Sequence, residues 1–159
     1  MTSIGCTGHQ SLSIATRCAV TAAIAARLAR VNGHLIGVCN LAIGADQIFA
    51  HLVLAMGGEL HCVIPSFGYD ETFNDGAERK AYNALLTLAH RQLTLPFDAP
   101  SERAYLAAGH AVADNCDILI AVWDGDPAAG AGGTADVVYY AKSHDTAVEI
   151  VWPVGSSRD

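Results

Sequence analysis

Basic residues are scarce in this chain: nine Lys and Arg stand against 16 Asp and Glu in 159 residues, for a formal net charge of −7. Affinity for a polyanion comes largely from Lys and Arg neutralising phosphates, so this balance argues against nucleic acid as a standing partner. The basic residues are scattered, with no run longer than Arg79-Lys80, and a basic groove would have to be assembled by the fold. The five cysteines (Cys6, Cys18, Cys39, Cys62 and Cys116) are odd in number and include no CxxC pair. That indicates neither a zinc framework nor a full disulfide set, and they read as reduced, mostly buried thiols. The histidines show no HxxxH or HxH spacing, so no metal or other cofactor is expected. Ser3, Ser11 and Ser66 lack the GxSxG context of a serine hydrolase, and neither a GxGxxG fingerprint nor a Walker A loop is present. The opening residues lack a basic segment followed by a long apolar run. The apolar stretch from Cys18 to Leu28 is interrupted by Arg17, Arg27 and Arg30. A cytoplasmic protein without a membrane partner is expected.

What the chain does have is apolar content, 52% of its residues, ample for one buried core. A single domain over residues 1–159 is expected, with no linker, repeat or low-complexity tract. Short apolar runs at 2–6, 34–39, 59–64, 92–95, 117–123 and 147–152 alternate with helical patterns at 11–30, 45–56, 77–90, 101–115 and 133–142. This alternation predicts an α/β fold: a doubly wound, mostly parallel, Rossmann-like sheet with helices on both faces. The helix faces expected to be buried carry Ile48, Leu52 and Ala55, then Ala81, Leu85 and Leu88, then Tyr105, Ala108 and Val112.

In such folds ligands sit beyond the carboxyl ends of the strands, where turns lead into helix amino termini. Three turns there are rich in glycine: Gly5-Cys6-Thr7-Gly8-His9-Gln10, Ala42-Ile43-Gly44-Ala45-Asp46, and the stretch from Asp124-Gly125 to Gly132-Gly133-Thr134. Glycine lets backbone amides approach an anion, and a helix start adds unpaired N–H donors. Asp46, Asp124 and Asp136 are candidate carboxylates whose natural partners are ribose hydroxyls; complementing the helix starts is the alternative for Asp46 and Asp136. His9 could bond a phosphate or act as acid or base near neutral pH. The mixed aromatic and polar segment 65–76 offers Phe67 or Tyr69 for stacking on a base, with Arg79 just beyond it as the nearest cation.

With Thr7-Gly8-His9, Gly44-Ala45-Asp46-Gln47, Ala121-Val122-Trp123-Asp124-Gly125 and Gly132-Gly133-Thr134-Ala135-Asp136 in place, the chain resembles the SLOG superfamily. That Rossmann-like group includes the Lonely Guy phosphoribohydrolases, the YpsA-like proteins and the nucleotide-binding domain of DprA-type proteins. The resemblance implies a site for a nucleotide or phosphorylated nucleoside, with Gly132, Gly133 and Thr134 holding phosphate. It also implies a homo-oligomer. Lonely Guy enzymes carry a glutamate three residues after the threonine of this motif, and Val137 stands there in this chain. An apolar side chain cannot transfer a proton, so a sensor or binding protein is the leading expectation. The alternative is a nucleotide N-glycosidase or hydrolase using Asp136 or Asp124. DNA handling of the DprA type is weakened by the acidic balance.

Overall fold

The structure is a computed structural model that describes residues 1–74, 76–127 and 133–158. Six strands, β1 (Thr2–Gly8), β2 (Leu35–Cys39), β3 (Glu59–Ile64), β4 (Arg91–Thr94), β5 (Ile118–Val122) and β6 (Ala147–Val151), form one sheet in the order β4-β3-β2-β1-β5-β6. Every neighbouring pair is parallel. Among the described residues, five α-helices connect them: α1 (Ile14–Ala29), α2 (Ala45–Ala55), α3 (Gly76–Leu88), α4 (Glu102–Asp114) and α5 (Thr134–Ser143). This is the expected doubly wound α/β architecture.

Alternation along the strands builds two cores. Ile120 and Val122 face one layer, with Ile4, Leu60 and Phe49, while Leu119 and Ala121 face the other, with Val112, Val137 and Val138. α1 presents Thr16, Val20, Ile24 and Leu28 to the first layer, a four-residue repeat that keeps one stripe on the sheet. The start of α1 is capped by Ser13, whose Oγ accepts from the Thr16 N–H, and not by the earlier Ser11. Two helix faces are rotated from those predicted. In α2 the buried set centres on Ile48, Phe49 and Val53, leaving Ala55 exposed; in α3 it is Tyr82 and Leu85, with Ala81 and Leu88 exposed. In both cases the aromatic ring supplies the larger buried area and sets the helix rotation.

Strands β1 to β4 are added outward in one direction, after which α4 carries the chain back to place β5 on the other side of β1. The reversal of winding therefore lies between the carboxyl ends of β1 and β5, where Gly8 pairs with Val122. A side chain on Gly8 would have its Cβ 2.5 Å from the Ala45 Cβ and 2.7 Å from the Val122 Cβ, so glycine lets α2 and β5 close on β1 here.

Candidate ligand cleft at the strand carboxyl ends

A cleft of about 730 Å³ opens at this reversal point, a volume within the range of small-molecule sites. Its floor is the end of β1 and the turn after it, Thr7 to Gln10. One wall comes from the β2–α2 loop with Asn40, Ala42, Ile43 and Asp46. Tyr69, Thr72, Phe73 and Asn74 make a second wall, continued by Glu102 and Tyr105 of α4. Trp123, Asp126, the α5 start from Gly133 to Ala135, and Arg158 complete the ring.

The β2–α2 loop is held from inside by Asp46. Its Oδ2 accepts from the backbone N–H groups of Asn40 (3.1 Å) and Ala42 (3.3 Å), two amides that flank the left-handed Leu41 (φ 57°) and converge as a small anion-binding nest. Asp46 is only 4% exposed, and burial raises its pKa to about 7 although the two amides pull it down. The loop then turns through Gly44 (φ 83°), where a Cβ would lie 2.5 Å from the Gln10 carbonyl oxygen and 2.6 Å from that of His9. The Ala45 N–H donates to the same His9 carbonyl at 3.2 Å, so the first two glycine turns are packed backbone to backbone.

His9 leans on Trp152 edge to face (5.4 Å between ring centroids), and its Nε2 accepts from the Asp124 N–H at 3.1 Å. This requires a neutral ring with its proton on Nδ1. Burial, then the Arg158 charge, lowers its pKa against the opposing pull of Asp124. Asp124 accepts two hydrogen bonds from the Arg158 guanidinium, Nε to Oδ2 (2.6 Å) and Nη2 to Oδ1 (2.8 Å), and a third from the Asp126 N–H (2.9 Å). The hydrogen bonds from Arg158 hold the Asp124 carboxyl well below the usual carboxylate range.

The aromatic wall is a cluster. Tyr69 meets Phe73, Tyr82 and Tyr105 edge to face, while Phe73 and Tyr82 stack with centroids 4.5 Å apart. Of the two rings proposed for stacking, Tyr69 reaches the cleft, beside Phe73 of the same segment; Phe67 is 60% exposed and stands apart from it.

The fold brings together Thr7, Gly8, His9, Asp46, Gly133 and Thr134, with Gly44 directly behind them. Other sequence candidates lie elsewhere. Gly5 belongs to the middle of β1, not to a turn, because β1 runs on to Gly8; a Cβ there would press on Cys116, Val112 and Leu119 beneath α4. Arg79 is ion-paired with Asp70 and does not line the cleft. Gly125 (φ 91°) is exposed at the turn after β5. Asp136 is half-buried on α5 and outside the cleft lining, and Val137 is a core residue packed against Gly109 of α4. Gly132 lies outside the described residues. Sequence reasoning missed Arg158, Asn40, Thr72, Asn74, Glu78, Glu102, Tyr105 and Asp126, none of which falls in a glycine-rich turn except Asp126.

Sheet order and winding define a Rossmann-like α/β fold with a cleft at its reversal point. No family model matches the sequence, and no curated protein matches it. Solved structures do. DNA processing protein A (DprA) from Streptococcus pneumoniae is similar with a TM-score of 0.70 at 17% identity, over 98% of this chain and 52% of that one. This chain therefore spans about half the length of that protein. DNA processing protein A from Helicobacter pylori, whose structure is described for its single-stranded DNA binding mode, gives 0.69 at 16% identity over 99% of this chain and 68% of that one. A structural-genomics protein, TM1055, gives 0.60 at 14% identity over 93% and 72%. These likenesses establish the fold.

Proposed function

We propose that this domain binds a nucleotide or phosphorylated nucleoside in the cleft at the β1–β5 reversal, as a sensor or binding protein. One observation carries the reading. The helices α2 and α5 both begin at glycine, Gly44 and Gly133, with no side-chain cap among the described residues, and both present first-turn residues to this cleft. By contrast, α1 and α4 spend first-turn N–H groups on Ser13 and Ser101. Uncapped donors at a helix start favour an anion, and the α5 start at Gly133 and Thr134 is the natural seat for a phosphate. The Tyr69, Phe73 and Tyr105 wall suits a base, and the polar edge at Asn40 and Asn74 suits sugar hydroxyls.

Binding is favoured over catalysis because the carboxylates that the sequence singled out for a hydrolase are engaged or off the cleft, and Val137 stands where Lonely Guy enzymes carry their glutamate. Asp124 is tied to Arg158, Asp136 is off the cleft, and Val137 is buried in the α4–α5 contact. Single-stranded DNA, which DNA processing protein A from Helicobacter pylori binds, is the weaker reading for this chain. Glu78, Glu102 and Asp126 line the cleft against one arginine and no lysine among the described residues.

The test is a panel of nucleoside mono- and diphosphates scored by thermal shift and calorimetry, with chromatography of the same mixtures for released base or sugar phosphate. Stabilisation without product is expected, and Gly133→Asp should abolish it in a folded protein by adding bulk and negative charge at the α5 start. Unchanged affinity in that variant would move the site. Product formation would replace the binding reading with an N-glycosidase or hydrolase.

A further inference from the structure

The C-terminal segment after β6 returns across the carboxyl edge of the sheet and is pinned to the first turn of α1. The Ser13 N–H donates to the Ser157 carbonyl at 3.3 Å, and the Ser157 N–H donates to Thr16 Oγ1 at 2.8 Å, Thr16 being fully buried. The residue that follows, Arg158, is thereby delivered to the cleft, where it is the only Lys or Arg on the wall among the described residues. Its Nε and Nη2 donate in parallel to the two oxygens of Asp124. A guanidinium has five N–H donors in a rigid planar fork. The donors not spent on Asp124 have no acceptor among the described residues, and the side chain remains 41% exposed.

We propose that Arg158 recognises the anionic group of the cleft ligand, and that Asp124 is its positioning residue. This rests on the cleft being a nucleotide site. Asp124 fits such a role because it is itself fixed, its carboxylate accepting from the Asp126 N–H and its own N–H donating to His9 Nε2, with only 16% of its side chain exposed. A carboxylate in that position freezes the guanidinium plane before the ligand arrives and leaves the outer donors for a second, bidentate partner. The other carboxyl groups on the cleft wall are Asp46, Glu78, Glu102 and Asp126, which leaves Arg158 and the α5 start at Gly133 and Thr134 as the features of the wall that favour an anion.

The experiment compares nucleoside 5′-monophosphates of all four common bases with their matched nucleosides by calorimetry, in the full chain and its variants. In Arg158→Ala the preference for the best monophosphate over its nucleoside should fall roughly tenfold or more, as for loss of a hydrogen bond to a charged group, while nucleoside affinity stays within about twofold. Arg158→Lys should restore part of the preference, because it returns the charge without the fork. Asp124→Asn should reduce the same preference by a smaller factor, again sparing the nucleoside, a pattern that a general loss of structure would not produce. If Arg158→Ala keeps the full phosphate preference while Gly133→Asp removes it, this inference is wrong and the cleft assignment stands. If the unaltered chain binds none of the monophosphates, the cleft assignment fails and this inference with it.

Discussion

Asp46 holds a carboxyl group in the protein interior with two backbone amides on one oxygen and no cation paired with it among the described residues, and its pKa, raised to about 7, makes that arrangement measurable. The unfolded chain titrates this group near its ordinary value of 3.8. Below pH 4 both states are protonated and the group contributes nothing to the pH dependence. Between pH 4 and 7 the folded state holds a proton that the unfolded state has released, so stability falls as pH rises, by up to about 1.4 kcal/mol per pH unit. Above pH 7 the loss is complete, and it amounts to roughly 4 kcal/mol.

Asp46→Asn removes the titration while keeping an oxygen that can accept from Asn40 and Ala42. The variant should therefore gain on the original chain as pH rises, the difference between their unfolding free energies changing by roughly 4 kcal/mol from pH 4 to pH 8. In melting temperature that corresponds to about 10 °C for a chain of this length. Urea unfolding of both proteins across the range, taken as a difference, cancels the other titrating groups. Parallel curves would refute the reasoning and mean that Asp46 stays ionised throughout.

Other substitutions test packing. Gly44→Ala should cost on the order of 3 kcal/mol in urea unfolding, because the added Cβ meets backbone oxygens at 2.5 and 2.6 Å at a φ of 83°. Gly109→Ala should cost roughly 1–3 kcal/mol by pressing on Val137 Cγ2 at 2.4 Å, and Val137→Ala in the same chain should recover part of that loss; strict additivity would show that the two do not share a contact. The homo-oligomer expected from the family resemblance should give at least a dimer mass by light scattering at tens of micromolar protein, and a monomer mass would remove it.

The fold was legible because its signal is local and repeated. Each buried strand is a short β-branched or leucine run between helical patterns, and Asp117 to Trp123 leaves little else for a chain of this length to build. The ends of elements were less legible. β1 runs two residues past its predicted end because Thr7 and Gly8 pair with Ala121 and Val122, a partner more than a hundred residues away that the local sequence does not reveal. That extension moves Gly5 from a supposed turn into the sheet, where it serves the α4 contact.

The cleft was legible only in the part that follows directly from strand ends. Gly8, His9, Asp46, Gly133 and Thr134 are near one another because every parallel strand delivers its carboxyl end to the same edge, so a glycine after a strand is already a statement about place. Arg158 and Tyr105 obey no such rule. Tyr105 read as one of a helix's core-facing residues, and its half-burial reflects a wall that exists only once the Tyr69 turn has folded against α4. Arg158 reaches the cleft because Ser157 bonds to both Ser13 and Thr16, contacts that span more than 140 residues and depend on α1 having been capped at Ser13. The same dependence explains why Asp124 stood out while its partner did not. A carboxylate at the end of a buried strand must find a cation or donor, but the chain offers nine bases, and only the folded tail determines which one arrives.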